Sequence, residues 1–435
     1  MKTTPYWWDD VTMFAGQSFD AVPEQVDILV IGSGYTGCSA AMTLARQGRK
    51  PVVIDAGKIG EGASSRNGGQ VRGGVKRSYE SLVTAFGDET ARLIASETEA
   101  AFDFFEERVA TLKLPTDYTR CGTFVGAHSK AAFDTLKRTA DDATGDLAAN
   151  YEIIEKADID REIQTDIYNG GMVIKRAGGV QPARYHTALA TACESAGAAL
   201  FEYTRATQIV QKTDKRFSVT IASTNGAQQD RTINANEIIV ATNGYSTRLT
   251  PWLASRVIPV KSFIIATQPV GNNMVRDLIP NQRMISDTKR VLYYYRPSPD
   301  GERILFGGRA SFGDPPLEQS GTMLRRFMVD VFPGLADVDV THSWSGYVAF
   351  SGDFLPHFGQ FNGIYYAAPY NGSGVAMSTY MGHRLALRLL GMSEPGASMD
   401  AIAHHKPFPG YGGNPWFLPI VGQYYKMRDW LDKRS

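Results

Sequence analysis

The strongest constraint on the fold is a strand–turn–helix–strand unit near the start of the chain. Val26 to Ile31 is an almost continuous apolar run, which is typical of a strand buried on both faces. The turn Gly32-Ser33-Gly34-Tyr35-Thr36-Gly37 follows directly, and a helix over 38–47 and a second strand over 51–54 are predicted after it. A helix that joins two strands within about 30 residues predicts a βαβ unit, and therefore a parallel sheet.

The glycine spacing in this turn indicates a dinucleotide site. Gly32 permits the tight turn, Gly34 lets the backbone approach a pyrophosphate, and Gly37 lets the helix pack closely. The helix N-terminus offers N–H groups and a positive dipole end to phosphates. Asp55 ends the second strand 18 positions after Gly37, where a carboxylate accepts from a ribose hydroxyl. The alternative is a βα turn without a ligand, which this context of strand, helix and acidic residue disfavours.

Two further glycine-rich segments bear on which dinucleotide binds, because Asp55 argues against NADP but leaves NAD and FAD open. Residues 60–70 supply backbone N–H groups and the Arg66 guanidinium, which suit a pyrophosphate and an isoalloxazine edge. Tyr370 to Gly374 precedes a predicted helix, whose N-terminus suits negative charge on a reduced flavin. Each segment alone is compatible with a plain glycine turn, whereas together they favour FAD.

Composition and charge restrict the classes of function. The 435 residues include 45 basic and 45 acidic side chains, so the formal net charge is +0 and no nucleic-acid partner is predicted. Cys38, Cys121 and Cys193 form no CxxC pair, and the histidines lack metal-ligand spacing, so neither disulfides nor a metal site is predicted. Because no apolar leader or spanning run is visible, we expect a cytoplasmic protein.

The middle of the chain predicts a second unit of different architecture. Residues 257–310 alternate apolar and polar side chains, as antiparallel strands do. The predicted fold class is α/β: a two-domain flavoprotein with a Rossmann-like FAD-binding domain and a discontinuous, mainly antiparallel β substrate domain. We expect the FAD-binding domain to comprise 1–90, 175–250 and 345–400, the substrate domain 91–174 and 251–344, and a C-terminal extension 401–435. Helices are predicted over 88–113, 130–150, 183–197 and 375–390.

Several segments together resemble the FAD-dependent D-amino-acid-oxidase-like (DAO) superfamily, and most of all its γ-glutamylputrescine oxidase type. They are the N-terminal unit, the loop ASSRNGGQ (63–70), the strand end VATNGYS (240–246), the turn YNGSGVAMS (370–378) and the segment PFPG…YYKMRDWL (407–431). The resemblance implies FAD and a discontinuous flavin domain. It also implies oxidation of a C–N bond by hydride transfer to flavin N5, followed by hydrolysis of the imine.

The resemblance assigns cofactor-binding residues to this chain. The ADP-binding segment corresponds to Gly32, Ser33, Gly34, Thr36, Gly37, Asp55 and Ala56. The loop beside the flavin corresponds to Ala63, Ser64, Arg66, Asn67, Gly68, Gly69 and Gln70. Ala206 falls where the family's backbone contacts adenine, and Thr242 falls near the ribityl chain. The turn under the pyrimidine edge corresponds to Gly372, Gly374, Val375, Ala376 and Met377.

The chain departs from its sarcosine-oxidase relatives at three positions. Those relatives attach the flavin through a cysteine that would fall within 347–349, where this chain has none, so FAD is expected to be non-covalent. Their oxygen-activating lysine corresponds to about Leu305, and their carboxylate-binding lysine corresponds to Ala376. These two differences leave open both the electron acceptor and the way in which a substrate carboxylate would be held.

Two side chains are candidates for the substrate pocket. A period of two puts Tyr293 and Tyr295 on one face of their strand and Tyr294 on the other, and the resemblance places Tyr294 over the flavin. Its ring could hold an amine by cation–π attraction, and the alternative is an ordinary core or surface ring. Arg72 could meet a substrate carboxylate, and the alternative is a structural or solvated arginine.

Three hypotheses for function follow. The first is an FAD enzyme that oxidises a small-molecule amine or N-substituted amino compound and is reoxidised by O2. The second keeps the flavin but passes electrons to a quinone or protein acceptor, with a C-terminal tail (Trp416, Phe417, Tyr424, Tyr425) in weak contact with a membrane surface. The third, of another class, is a dinucleotide-binding sensor without turnover.

Overall fold

The computed structural model describes residues 1–143, 146–214, 216–226, 228–309, 311–392, 399 and 402–433. The strands are β1 (Gln25–Ile31), β2 (Pro51–Ile54), β3 (Gln70–Arg72), β4 (Thr123–Gly126), β5 (Tyr151–Ile154), β6 (Gly171–Ile174), β7 (Ala177–Gly179), β8 (Ala199–Phe201), β9 (Thr204–Gln211), β10 (Phe217–Ser223), β11 (Arg231–Val240), β12 (Ile258–Thr267), β13 (Met284–Asp287), β14 (Tyr293–Pro297), β15 (Ile304–Gly308), β16 (Val340–Phe350), β17 (Phe358–Phe361) and β18 (Ile364–Ala367). The helices are α1 (Tyr35–Arg46), α2 (Tyr79–Phe86), α3 (Asp88–Thr111), α4 (Lys130–Asp141), α5 (Asp146–Asn150), α6 (Pro182–Ser195), α7 (Pro251–Ala254), α8 (Asn272–Leu278), α9 (Leu317–Val331), α10 (Gly374–Leu389) and α11 (Leu418–Asp432).

The first sheet is the parallel sheet that the βαβ unit predicts. β1 pairs in parallel with β2 on one side and β11 on the other, and β18 and β8 extend the parallel part. β17 pairs antiparallel to β18 at one edge, and β9 and β10 form an antiparallel ribbon that leaves the sheet from β11. The Rossmann-like half of the fold prediction is therefore confirmed.

Helices cover one face of this sheet and build the largest core. α1 crosses α10 so closely that a Cβ on Gly382 would overlap the Thr36 carbonyl oxygen, so a glycine is needed there. α3 packs against α10 and buries Phe102 and Phe105 completely in the same core. The predicted domain boundary at residue 90 separates α3 from this core. That division stays a prediction, and the packing of α3 favours moving the helix to the FAD-binding side.

The second sheet has the order β16-β12-β15-β14-β13-β4-β6-β5. Of its pairings among the described residues, β13 with β4 is parallel and the others are antiparallel. The prediction of a mainly antiparallel sheet is confirmed. One face packs on α9, and the other bears the cluster of Trp7 and Trp344 that faces the first sheet's loops. β16 runs across the predicted boundary at 345.

The helix α4 is shorter than predicted. The helix predicted over 130–150 ends at Asp141, where carboxylates oppose the helix dipole, and α5 follows after residues 144 and 145, which lie outside the described residues.

α11 docks on the second sheet: Gly422 packs on the Phe312 ring, and Arg290 binds both Asp429 (3.1 Å) and Asp432 (2.6 Å). No helix within the described ranges is long and apolar enough to cross a membrane.

Candidate active site

The turn after β1 can be built only with glycine at two of its positions. Gly32 has a φ of +106°, and a Cβ there would lie 2.8 Å from the Ala241 carbonyl oxygen. A Cβ on Gly37 would overlap the Gly32 carbonyl oxygen. α1 therefore begins against the end of β1, and its N-cap Gly34 brings no side chain to cover the first N–H groups. These features agree with the anion-binding helix terminus that the sequence predicts, and anion binding there stays a prediction.

Asp55 is held rigidly at the end of β2. Its Oδ2 accepts from the Ser33 N–H (2.8 Å) and hydroxyl (2.7 Å), and its Oδ1 accepts from the Gly57 N–H (3.0 Å). The adjacent chain segments carry the remaining residues predicted for the adenosine end. The Ala56 carbonyl accepts from Thr224 Oγ1 (2.6 Å), and buried Ala206 lies in β9, whose first residue donates its N–H to the Asp55 carbonyl (2.6 Å).

The loop 63–70 adjoins the first turn and is bonded to it. The Tyr35 N–H donates to Ser64 Oγ (3.0 Å), and a Cβ on Gly34 would lie 2.8 Å from the same oxygen. Asn67 fixes the loop from within, because its Nδ2 donates to the Ser64 carbonyl (2.9 Å) and its Oδ1 accepts from the Gly69 N–H (2.8 Å). The loop therefore presents its backbone in one conformation beside the start of α1.

Two tryptophans from distant parts of the chain hold this loop, and sequence reasoning missed both of them. Trp7 Nε1 donates to the Asn67 carbonyl (2.8 Å), and Trp344 Nε1 donates to the Arg66 carbonyl (2.8 Å). Both indoles are completely buried. Arg66 itself turns away from the first turn, since its Nε donates to the Glu61 carbonyl (2.6 Å) and its guanidinium lies over the Trp8 ring. No local sequence pattern links residues so far apart.

The same loop is tied to the second sheet. Gln70 Nε2 donates to the Ile285 carbonyl (2.9 Å), and Arg296 Nη1 donates to the carbonyls of Gly69 (3.2 Å) and Val180 (2.8 Å). Arg296 is buried, and burial lowers the pKa of its guanidinium to about 10. Loop 63–70 thus connects the two sheets through hydrogen bonds.

The turn 370–377 and the residues that follow β11 complete the side of the site that carries the predicted cofactor residues. The Thr36 and Tyr370 hydroxyl oxygens lie 2.6 Å apart, which ties this turn to α1. Gly372 has a φ of +91°, and α10 begins at Gly374. Thr242 follows β11 next to Gly32, and its hydroxyl pairs with Ser246 (2.8 Å). The last three predicted residues of this turn are buried in the first turn of α10: Val375, Ala376 and Met377.

Tyr294 faces the loop from the second sheet. The predicted alternation is observed, because Tyr293 and Tyr295 pack on Phe306 and Tyr294 lies on the opposite face. A Cβ on Gly68 would lie 2.9 Å from the Tyr294 ring, and the Tyr294 hydroxyl pairs with Ser262 Oγ (2.9 Å). Burial raises the pKa of this phenol to about 12, so the ring stays neutral.

Three cations lie near one another, and one of them, Arg309, acts on the Tyr294 phenol; of the three, only Arg72 was predicted. Burial lowers the pKa of the guanidinium of Arg72, which ends β3, and that of Arg309, which follows β15. Lys76 is exposed to solvent, and it is near enough to both arginines for their charges to lower its pKa. We call Arg72, Lys76 and Arg309 the cation triad.

These elements fit a flavin dinucleotide. Any side chain would fill the cradle at Gly34, the start of α1 favours negative charge, and Asp55, which is predicted to meet the ribose, is fixed by its hydrogen bonds. Loop 63–70 and turn 370–377 lie along the path from this cradle to Tyr294. FAD would be held by the predicted residues, largely through backbone groups.

One other cluster has metal-ligand chemistry. His128, Asp429 and Asp432 offer ligand atoms within 4.8 Å of one another. Arg290 donates to both carboxylates, and His128 Nδ1 pairs with Thr288 Oγ1 (2.7 Å). The guanidinium therefore already supplies positive charge between these acids.

Comparison with known proteins agrees with this geometry. The family described as FAD dependent oxidoreductase (DAO) matches residues 27–388. The chain is 30% identical to gamma-glutamylputrescine oxidoreductase from Escherichia coli over 99% of both chains, and 28% identical to probable oxidoreductase OrdL from Haemophilus influenzae over 93% of this chain and 92% of that one. The crystal structure of glycine oxidase from Geobacillus kaustophilus superposes with a TM-score of 0.68 at 21% identity, covering 88% of this chain and 100% of that one. The chain therefore belongs to the DAO family of FAD-dependent oxidoreductases, as its sequence motifs indicate, and FAD is its cofactor.

Proposed function

We propose that the protein oxidises a C–N bond of an amine or N-substituted amino compound to an imine, with O2 as the final acceptor. When bound, FAD supplies the chemistry by accepting a hydride at N5. Water then hydrolyses the imine to a carbonyl compound and an amine or ammonia. Two electrons and two protons pass to O2, which becomes hydrogen peroxide.

The contact between Tyr294 and Gly68 carries this proposal. Gly68 belongs to the loop that resembles the family's loop beside the flavin, and a Cβ on Gly68 would lie 2.9 Å from the Tyr294 ring, which supports a position of this ring facing the flavin. A ring there forms one wall of a narrow slot and attracts an amine through its π-face. Ser262 fixes the ring's orientation through the hydroxyl, so that the slot keeps its shape.

The relatives support the class of substrate. The E. coli relative at 30% identity is named for a γ-glutamylated diamine, and a relative from Geobacillus kaustophilus at 24% identity is named a glycine oxidase. Both names describe compounds with a C–N bond. The predicted cofactor residues, from Gly32 to Met377, are our proposed FAD contacts.

We further propose that FAD is bound without a covalent link. Residues 347–349 contain no cysteine, and Cys38 and Cys193 are buried behind the first turn. Acid precipitation of the yellow protein is expected to release the flavin into the supernatant. Flavin that stays with the pellet would contradict this proposal.

Anaerobic titration of the flavoprotein with amines tests the reaction. The panel contains γ-glutamyl amines, N-methyl amino acids, D-amino acids and cyclic imino acids, and flavin absorbance is followed before and after air is admitted. Bleaching by one class with recovery in air is expected. If none of the panel bleaches the flavin, the sensor hypothesis is favoured over the enzyme.

A second candidate is a dehydrogenase that uses a quinone or protein acceptor. Two points favour it: by the resemblance, the relatives' oxygen-activating lysine corresponds to about Leu305, which is buried and apolar, and the C-terminal segment exposes Trp416, Ile420 and Trp430 to solvent. The exposed apolar residues would form the contact with the acceptor or its membrane. In the same titration, bleached flavin that stays bleached in air would identify this candidate.

A further inference from the structure

The exposed side of α11 carries a continuous row of large apolar side chains. Ile420, Tyr424, Met427 and Leu431 follow one another at intervals of four, three and four residues, which places them on one side of the helix. Trp416 continues the same row just before the helix begins. Their exposed fractions lie between 45% for Leu431 and 67% for Ile420. We call these five residues the α11 stripe.

The opposite side of α11 is fixed to the protein. A Cβ on Gly422 would overlap the Phe312 ring, so the helix backbone lies directly on that side chain. Asp429 accepts from the backbone N–H groups of Arg290 (3.1 Å) and Val291 (2.9 Å). The helix therefore has one orientation on the second sheet, and the α11 stripe points to solvent in it.

An apolar surface of this kind indicates a contact with something outside the chain. Soluble monomers rarely expose a contiguous apolar patch larger than a few hundred Å². Outside α11, the exposed large hydrophobic side chains of the described residues are spread over separate elements, among them Leu93 on α3 and Val210 on β9. The α11 stripe is different because its members are neighbours on one helix.

The exposed charges beside the α11 stripe are basic. With 3.6 residues per turn, Lys426 and Lys433 lie on one flank of the stripe and Arg428 lies on the other. Both lysines are exposed, and Arg428 reaches the nearest carboxylate of its own helix only at 4.0 Å. The acids of the helix are turned towards the protein: the side chains of Asp429 and Asp432 are 10% and 27% exposed, and the arginine that precedes β14 binds both.

These charges decide between a second copy of the chain and a lipid surface. If two copies met at the α11 stripe, basic flank would face basic flank for either relative direction of the helices, and like charges repel. Anionic headgroups would instead attract both flanks. A helix with one apolar side and basic flanks is the type that lies in a membrane interface, where tryptophan and tyrosine are enriched.

The α11 stripe is also close to the proposed substrate side. Tyr425, on the inner side of α11, packs edge-on to Phe312 with ring centres 6.3 Å apart, and it acts on the guanidinium of Arg309 in the cation triad. A surface bound to the stripe would therefore lie within about one helix diameter, roughly 10 Å, of that guanidinium.

We propose that the α11 stripe and its basic flanks dock the protein on a membrane surface that contains anionic phospholipids. The apolar side chains enter the headgroup boundary, and Lys426, Arg428 and Lys433 meet lipid phosphates. Such binding is peripheral and reversible. The inference makes the membrane contact of the second candidate function specific, but it requires neither the amine reaction nor a particular electron acceptor.

Sedimentation with vesicles tests the proposal on the complete flavoprotein without substrate. Vesicles of phosphatidylglycerol and phosphatidylcholine in equal parts should bind the protein at low salt, and vesicles of phosphatidylcholine alone should bind it about tenfold more weakly or less. Ile420→Ser combined with Met427→Ser should lower the partition to anionic vesicles by about tenfold or more, because two apolar side chains no longer enter the interface. Lys426→Gln should lower it about fivefold.

Matched controls remove the same kinds of side chain elsewhere. Leu93→Ser removes a leucine of α3 that is 41% exposed, Lys113→Gln removes an exposed lysine, and both should leave the partition unchanged. Flavin content and thermal midpoint should stay at the wild-type values in the double variant, since Ile420 and Met427 are 67% and 51% exposed.

Three outcomes would separate the explanations. Wild-type protein that stays in the supernatant with anionic vesicles would overturn the proposal, as would equal sedimentation of the wild type and the double variant. A dimer in solution that the double variant converts to a monomer would show that a second copy covers the α11 stripe, which also overturns it. Vesicle binding by a protein that oxidises no amine would support this inference and contradict only the proposed function.

Discussion

The cofactor side of the cleft and its substrate side are built by different means. The first turn and loop 63–70 are made of backbone groups, fixed by internal bonds such as those of Asp55 and Asn67. The proposed substrate side is made of side chains from separate segments, and the side chains of Lys76 and Arg72 have no hydrogen bond within the described residues. A rigid backbone cradle suits a cofactor that never changes, whereas unsatisfied side chains suit a ligand that comes and goes.

The largest effect should come from filling the cradle. In Gly37→Ala the new Cβ would overlap the Gly32 carbonyl oxygen, which is backbone and cannot move aside, so we expect loss of FAD and of the fold around β1. The ratio of absorbance at the protein and flavin bands, with thermal unfolding, measures this. Gly334→Ala is the matched control, because a Cβ there meets nothing within 4 Å. Wild-type flavin content in Gly37→Ala would show that the cradle is less rigid than described.

Removing the clamp on loop 63–70 should have the next largest effect. Trp7→Ala empties a completely buried site and deletes the bond to the Asn67 carbonyl, so it should cost about 3 to 5 kcal/mol of stability and weaken FAD binding. Thermal unfolding with and without added FAD measures both. Trp416→Ala removes an indole that is 66% exposed and should change neither. Equal stability and equal FAD binding in the two variants would show that loop 63–70 keeps its conformation without Trp7.

Changes at Tyr294 should spare the cofactor and affect the reaction. Tyr294→Phe keeps the ring and loses the bond to Ser262, so kcat/KM should fall about twofold to tenfold. Tyr294→Ala removes the wall of the slot, so its kcat/KM should be lower still, whereas its flavin content should stay normal. Steady-state kinetics with the amine found by titration measures this. Flavin loss in Tyr294→Phe would place the residue on the cofactor side instead.

The smallest effect should be a pH dependence confined to the substrate side. Lys76 has a pKa lowered to about 7, so it carries its charge below pH 7 and loses it as the pH rises. Lys76 Cε would lie 3.3 Å from a Cβ on Gly372, in the predicted flavin turn, so the absorption spectrum of the bound flavin should shift between pH 6 and 8.5, whereas FAD retention stays constant. In Lys76→Arg this shift should disappear. A wild-type spectrum that does not change over this range would contradict the lowered pKa of Lys76.

The same contrast explains what could be predicted from the sequence. The cofactor side could be predicted because its glycines, helix and Asp55 are contiguous and follow the periods of strand and helix. The positions of Arg309 and Trp344 could not be predicted, because the pairing of strands brings them to the site. Both are more than 200 residues from Lys76 in the sequence. β16 was missed because its polar residues interrupt the alternation of buried positions. The domain boundaries stay a prediction for the same reason, since packing and not sequence order decides them.

The strand order of the first sheet also determines how much of the chain must be synthesised before the sheet can be completed. β1 lies beside β11, and β11 lies beside β18, so the sheet closes only after about 330 further residues have left the ribosome. At the usual pace of translation this takes roughly 15 to 65 s. For about the first 200 of these residues the apolar strand β1 lacks β11, one of its two partners. The turn 370–377 follows β18, so the complete proposed flavin site forms only after most of the chain has been synthesised.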